Sequence, residues 1–302
     1  MKKTVLAFII ILVGMFLFLS LIDTSDYVAG KKLWRGNKRF VEIARDPNVV
    51  PKQEFENLAD SYTTILADYP DSQFVPLIKF QIGKLLTLKG SYGEARKSFA
   101  EIAEQYAGNS DMCTRALLYV GMTYEKEARG KEAIKIYKKI MSAYPRTDIG
   151  LRMPMLIMRY YKRAGDKGEA LKAYLDAVAF YTKIHEENHD NVYGFRALNI
   201  LSQAYLNQKN WEKAVDVLAR MLIEYSSLKF VDYRKVYNII KTINTVSLTH
   251  LKNYDRPKAI YTEFLEENPQ HPIKRVLSEM IVAIDELKGN QDLPEGATDN
   301  VR

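Results

Sequence analysis

The chain has 302 residues and a formal charge of +7 at pH 7, with 47% hydrophobic and 27% charged residues, which is ordinary for a folded protein. The single cysteine, Cys113, excludes an intramolecular disulfide framework and a cysteine-rich metal site. Only 15 Gly and 10 Pro punctuate a sequence dominated by helix-forming residues, so we predict an all-α protein. Acidic and basic residues are interspersed without a long Lys/Arg run, and neither nucleic acid nor a small-molecule substrate is predicted as a ligand.

The N-terminus carries the clearest local signal. After a short tail of residues 1–3, residues 4–22 (TVLAFIIILVGMFLFLSLI) are uncharged, and as a helix they would span roughly 28 Å. This length predicts a single transmembrane anchor; a secretory signal cleaved before Asp26 or Gly30 is the alternative. Two lysines precede the apolar run, so we expect a single-pass membrane protein with its folded part outside the cytoplasm, in the periplasm.

Residues 23–52 follow as a basic juxtamembrane linker with a short helix. Lys31, Lys32 and Arg35 surround Trp34 there, which favours an anchoring role at a membrane interface. Five cations lie between residues 31 and 39. Positive charges beside a membrane segment favour the cytoplasmic side, so a cytoplasm-facing orientation of the folded part is the alternative.

An internal repeat occupies residues 53–288. Gly, Ala and an aromatic residue recur with one constant offset in the first two copies, at Gly83, Ala95, Phe99 and at Gly121, Ala133, Tyr137. We align a third copy at Tyr161, Ala170 and Tyr174, and a fourth at Leu201, Tyr205, Ala214 and Leu218. Small residues that recur in this way are typical of helix pairs that approach closely, with large residues filling the gaps between them. Residues 289–302 are predicted to be a flexible C-terminal tail.

These spacings resemble the tetratricopeptide repeat (TPR), and the best copy has Leu117, Val120, Gly121, Tyr124, Ala133, Tyr137 and Pro145 at the pattern positions. The resemblance implies a TPR-like α-solenoid, a right-handed stack of antiparallel helix pairs. It would contain five or six imperfect units and a final capping helix, IKRVLSEMIVAIDELKG.

The unit boundaries carry a second resemblance. ADYPDSQFV and SAYPRTDIG each end a helix with Tyr-Pro and then supply a polar cap, while QYAGNSD, EYSSLKF and ENPQHPI are degenerate versions. This style is similar to exported bacterial TPR proteins of the BamD / CpoB (YbgF) type, and it implies a scaffold in the cell envelope. The sequence lacks the lipidated cysteine of the BamD type, so a lipid anchor is not implied.

The string HEENH at residues 185–189 matches the zincin signature, in which two histidines at i and i+4 hold zinc and a glutamate acts as general base. This makes a zinc-dependent hydrolase using His185, Glu186 and His189 the alternative function. The third ligand is missing, because a metzincin continuation needs histidine where Phe195 stands. The third repeat alignment leaves seven extra residues after Tyr174, so we expect HEENH to be a solvated helix end.

No other residue set predicts catalysis. His250 and His271 are isolated, Cys113 is expected to pack at a helix start, and we find neither a phosphate-binding glycine loop nor a nucleophile elbow. We therefore predict a non-enzymatic scaffold without a metal ion or a cofactor.

The first helix of each unit would line a concave groove. The positions not used for packing have a basic and amphipathic character: Lys84, Arg115, Tyr119, Met122, Arg152, Met155, Arg159, Lys162, Arg196, Asn199 and Gln203. Arginine binds carboxylates in a bidentate manner, so we predict that the groove binds an acidic segment or helix of a partner protein.

Overall fold

A computed structural model describes residue 9, residues 11–16 and residues 24–291, and throughout this part the chain forms helices and connecting turns without a strand. The chain divides into two compact units, Met1–Met153 and Pro154–Arg302. The helices of the first unit, with α7 continuing into the second, are α1 (Thr24–Arg45), α2 (Lys52–Asp68), α3 (Val75–Lys89), α4 (Tyr92–Gln105), α5 (Ser110–Lys126), α6 (Gly130–Ala143) and α7 (Asp148–Arg163). The prediction of an all-α protein is confirmed.

The second unit continues the alternation of helices. Its further elements are α8 (Lys167–Glu186), α9 (Val192–Asn207), α10 (Trp211–Tyr225), α11 (Tyr233–Asn244) with a π-helical extension (Thr245–His250), α12 (Asp255–Glu267) and α13 (Lys274–Gln291). Helix α9 packs against α8 and α10, and α10 packs in turn against α11. Helix α13, the predicted final helix, packs on α12.

Local signals set the helix boundaries. Asn and Asp side chains accept a hydrogen bond from the first turn of five helices, at Asn109, Asp166, Asn191, Asn210 and Asp232. The turn inside a helix pair contains one residue with left-handed backbone, namely Gly90, Ala128, Gly165, Lys209 and Lys252. Such a residue reverses the chain over a short turn, which brings the second helix back along the first.

Glycine allows the close approach of paired helices in the first unit. A Cβ atom on Gly121 would lie 2.3 Å from Cε1 of Tyr137, and one on Gly83 would lie 2.6 Å from Cε1 of Phe99. Both rings are fully buried. The predicted glycine and aromatic positions of these two repeat copies are therefore confirmed as contacts between the helices of a pair.

The prediction of a single-pass membrane protein is wrong. Across the residues that the structure describes, no helix is both long and apolar enough to cross a membrane. The longest, α1, has 22 residues but carries charged side chains along its whole length. Most of residues 4–22, on which the predicted anchor rested, lies outside the described residues.

Residues 24–45 differ from the expected linker. They form one continuous helix, and its residues Ala29, Leu33 and Ile43 are buried against Phe55 and Leu58 of α2. The packing of helix pairs therefore begins already with α1, in the segment that we predicted to be a linker before the repeats.

Helix α8 corrects the register of the third repeat copy. Ala177 and Tyr181 are fully buried, whereas the predicted packing residues Ala170 and Tyr174 are only half-buried. In each pair we count the residues from the left-handed turn residue to the packed ring. The segment from Gly165 to Tyr181 is seven residues longer than the segment from Ala128 to Tyr137. The seven extra residues therefore lengthen the beginning of α8, and not its end as we expected.

Candidate interaction surfaces and the buried histidine

The corrected register places HEENH at a unit boundary. In the first unit a boundary tyrosine follows the packed aromatic ring by seven residues: Tyr106 follows Phe99, and Tyr144 follows Tyr137. Asn188 follows the packed ring of Tyr181 by the same seven residues. Asn188 is buried, and its side-chain amide donates to the carbonyl of Ile184 at 2.8 Å. The expectation of a solvated helix end is therefore wrong for His185 and Asn188, whereas Glu186, Glu187 and His189 are exposed as expected.

His185 lies in the core of the second unit, with 2% of its side chain exposed. Its Nδ1 lies 2.9 Å from the hydroxyl of Tyr225, and its Nε2 lies 2.8 Å from an Nη atom of Arg220. An oxygen of Glu224 lies 3.2 Å from Nε2, and its other oxygen accepts from Nε of Arg220. These contacts connect the end of α8 to the end of α10.

Burial favours the neutral form of the imidazole. A guanidinium group only donates hydrogen bonds, so in its contact with Arg220 Nε2 is the acceptor, and in that tautomer Nδ1 carries the hydrogen that it donates to Tyr225. A protonated Nε2 would instead donate to the carboxylate of Glu224. Burial lowers the pKa of His185, and the positive charge of Arg220 adds to this shift, although Glu224 opposes it. Burial also raises the pKa of Tyr225. His185 is therefore neutral at pH 7.

This geometry does not fit a zincin site. In a zincin a histidine nitrogen binds the metal through its lone pair, but here the lone pair of Nε2 accepts a hydrogen bond from a cation. Glu212, an acidic residue on α10 downstream of the motif, is ion-paired with Arg256 and is not placed as a third ligand. The described residues contain no group of three His, Cys, Asp or Glu side chains arranged to hold a metal ion.

The remaining single candidates have packing contacts. The ring of His250 stacks on Trp211 with centroids 4.1 Å apart, and His271 lies 3.3 Å from the carbonyl of Ser226. Cys113 is buried at the start of α5, and its Sγ lies 3.1 Å from the carbonyl of Tyr106. Each of these side chains contributes to a contact between neighbouring elements.

The predicted groove residues of the first unit differ in exposure. Arg115, Met122 and Arg152 are exposed. Tyr119 is half-buried, because its ring stacks on Phe99 with centroids 4.9 Å apart. The ammonium group of Lys84 lies 5.3 Å from the centre of the Tyr119 ring. Tyr119 and Lys84 thus belong partly to the packing between helices.

The predicted residues of the second unit lie on two helices. Arg159 and Lys162 are exposed on α7, where Met155 is half-buried. Arg196, Asn199 and Gln203 are all exposed on α9, and their spacing of three and four residues places them on one side of that helix. This side of α9 carries one cation and two amides but no carboxylate.

The sequence interpretation missed two features. One is the His185 cluster, which depends on the register of α8. The separation of Tyr181 from Ser202 along the chain equals that of Tyr137 from Met158, a signal that is compatible with the observed register but does not identify the partners of His185. The other is an exposed row of side chains on α1, which a helical-wheel analysis of residues 27–41 would have detected.

A protein-family model described as "Tetratricopeptide repeat" matches residues 115–147. This segment contains α6 and most of α5, together with the Gly121–Tyr137 contact. No curated protein matches the chain. The match supports a TPR protein built from helix pairs, a class that generally binds other proteins, but it gives no support to the finer resemblance to the BamD / CpoB type.

Two solved structures show limited similarity. BtubC (BKLC) from P. vanneervenii is 13% identical, and the match covers 82% of this chain and 94% of that chain with a TM-score of 0.38. A tetratricopeptide repeat protein from Parabacteroides merdae ATCC 43184 is 14% identical, with coverage of 82% and 99% and a TM-score of 0.33.

Proposed function

We propose that the protein is a non-enzymatic scaffold. The first helix of each helix pair would contribute to a surface that binds an acidic segment or helix of a partner protein. The observation that carries the proposal is the exposed side of α9 formed by Arg196, Asn199 and Gln203, on a helix whose own sequence contains no Asp or Glu. An arginine and two amides can bind a carboxylate and peptide groups together, which suits an extended acidic segment. Arg159 and Lys162 on α7 supply further positive charge to the same ligand.

A peptide library displayed on phage tests this proposal with the full chain as bait. We expect the selected peptides to be enriched in Asp and Glu. Charge-assisted hydrogen bonds contribute about 1.5–3 kcal/mol each. The double variant Arg159→Ala with Arg196→Ala should therefore bind the selected peptides with an affinity lower by tens-fold or more. Raising the salt concentration should weaken binding in the same direction.

A matched control separates a specific site from general charge. Lys172→Ala with Lys229→Ala removes the same two charges from exposed positions on α8 and in the loop after α10. This control should retain the affinity of the wild-type chain. Selected peptides without acidic residues, or equal losses in both double variants, would contradict the proposed acidic ligand.

A further inference from the structure

Helix α1 presents an uncovered row of large side chains. Tyr27, Trp34 and Val41 follow each other at intervals of seven residues, and 68%, 57% and 54% of their respective surfaces are exposed. Lys31 and Lys38 alternate with them and are also exposed. We call these five residues the α1 stripe. At 100° per residue they fall within about 80° of the helix circumference, opposite the buried residues of α1.

The α1 stripe combines apolar surface with positive charge. The ammonium group of Lys38 lies 3.9 Å from the centre of the Trp34 ring, and this cation–π contact holds both side chains in place. Within the part of the chain that the structure describes, Lys31 and Lys38 form no ion pair. By contrast, Lys32 on the flank of the helix is paired with Asp68. The stripe therefore has unneutralised cations beside its apolar side chains.

The flanks of the stripe extend its positive charge. Arg35 and Arg45 are exposed next to it, and Arg35 also lines a shallow groove of about 280 Å³ with Ser61 and Thr64 of α2. Helix α1 contains two acidic residues, and both already have partners: Asp26 accepts hydrogen bonds from Ser72 and Gln73, and Glu42 is paired with Arg39 at 2.7 Å. A ligand that covers the stripe must therefore supply both apolar side chains and carboxylates.

We propose that the α1 stripe is a docking surface for an acidic amphipathic helix of a partner protein. From Tyr27 to Val41 the stripe is about 21 Å long, which matches four turns of a partner helix. Aromatic side chains are enriched among the residues that dominate binding at interfaces, and two of them lie here on one rigid helix. Glutamates beside the apolar row of the partner would pair with Lys31 and Lys38. The surface lies in the first unit, so the proposal does not depend on the basic faces of α7 and α9.

The test uses the full chain and two designed helical peptides, each long enough to cover the stripe. Both have the same leucine row, flanked by glutamates in one peptide and by lysines in the other. Fluorescence anisotropy should show at least tenfold tighter binding of the glutamate peptide. Tyr27→Ala with Trp34→Ala should abolish this binding, and Lys31→Glu with Lys38→Glu should reverse the preference in favour of the lysine peptide.

The matched control is Lys131→Glu with Lys138→Glu, which makes the same charge change at the same seven-residue spacing on exposed positions of α6. It should leave the preference unchanged, because the general positive charge of the protein does not create the site. Absence of glutamate-peptide binding, or an equal loss in this control, overturns the proposal. Two other results would also overturn the proposal, provided that the glutamate peptide does not bind. These are Trp34-dependent binding to anionic phosphatidylglycerol vesicles and Trp34-dependent self-association.

Discussion

The hydroxyl group of Tyr225 lies 2.9 Å from Nδ1 of His185, and this contact joins the second helices of two consecutive pairs in the second unit. The opposite nitrogen of the ring accepts from Arg220, so both ring nitrogens have a partner while the imidazole is neutral. Burial disfavours the protonated imidazole, so the stability of the unit depends on pH.

Acidification from pH 7 to pH 5 should lower the free energy of unfolding of the wild-type chain. The pKa of His185 is lowered in the folded protein from its ordinary value of 6.5, so below that pH the unfolded chain binds a proton that the folded chain does not. His185→Gln should flatten this dependence in urea denaturation, whereas exposed His189→Gln should retain it. Folded carboxyl groups with a lowered pKa, such as Asp26, affect stability only at lower pH. Equal slopes in all three proteins would rule out His185 as the cause.

Zinc should not stabilise the protein. The lone pair of Nε2 of His185 accepts a hydrogen bond from the guanidinium group of Arg220, so a metal ion would have to displace that cation. A ligand that binds only the folded state raises the melting temperature. We expect equal melting temperatures with Zn²⁺ and with EDTA in differential scanning fluorimetry. A rise with Zn²⁺ that His185→Gln removes would restore the metal-site interpretation.

Gly121→Ala should destabilise the first unit by about 1–3 kcal/mol through overpacking. The added Cβ atom would lie 2.3 Å from Cε1 of Tyr137, a buried ring that has no room to move away. The matched control is Gly93→Ala in α4, where a Cβ atom would meet nothing within 4 Å. There the higher helix propensity of alanine should stabilise by up to about 1 kcal/mol. Chemical denaturation measures both, and a Gly121→Ala protein as stable as wild type would place the helix contact elsewhere.

Ala128→Gly should stabilise the protein by about 0.5–1 kcal/mol, because Ala128 lies in the turn between α5 and α6 with a left-handed backbone that glycine adopts without the steric cost of a Cβ atom. Its φ is +58°. The reverse substitution at the equivalent turn, Gly90→Ala, should destabilise, since Gly90 has a φ of +85°. The two melting temperatures should shift in opposite directions from that of the wild type. Shifts in the same direction would show that backbone strain does not control these turns.

The sequence alone determined the helix pairs, because the signals that form them are local. Gly83 and Gly121 stand at the same distance along the chain from their aromatic partners, and the partner rings pack directly on them. The sequence also identified the exposed arginines on the first helices, since the helical period separates them from the packing positions. A local pattern of this kind can be read without knowing which helices are neighbours.

Only the tertiary structure decided where the extra residues of α8 lie and therefore what His185 does. Seven residues make about two helical turns, so moving them from one end of α8 to the other leaves the same side chains on the same face. The periodicity of residues 167–186 is thus compatible with Tyr174 or with Tyr181 as the packed ring. The burial of Tyr181 selects the second register, and so do the contacts of His185 with Tyr225 and Arg220. Both partners lie on α10, a helix distant in the chain, so no local pattern around His185 could have revealed them.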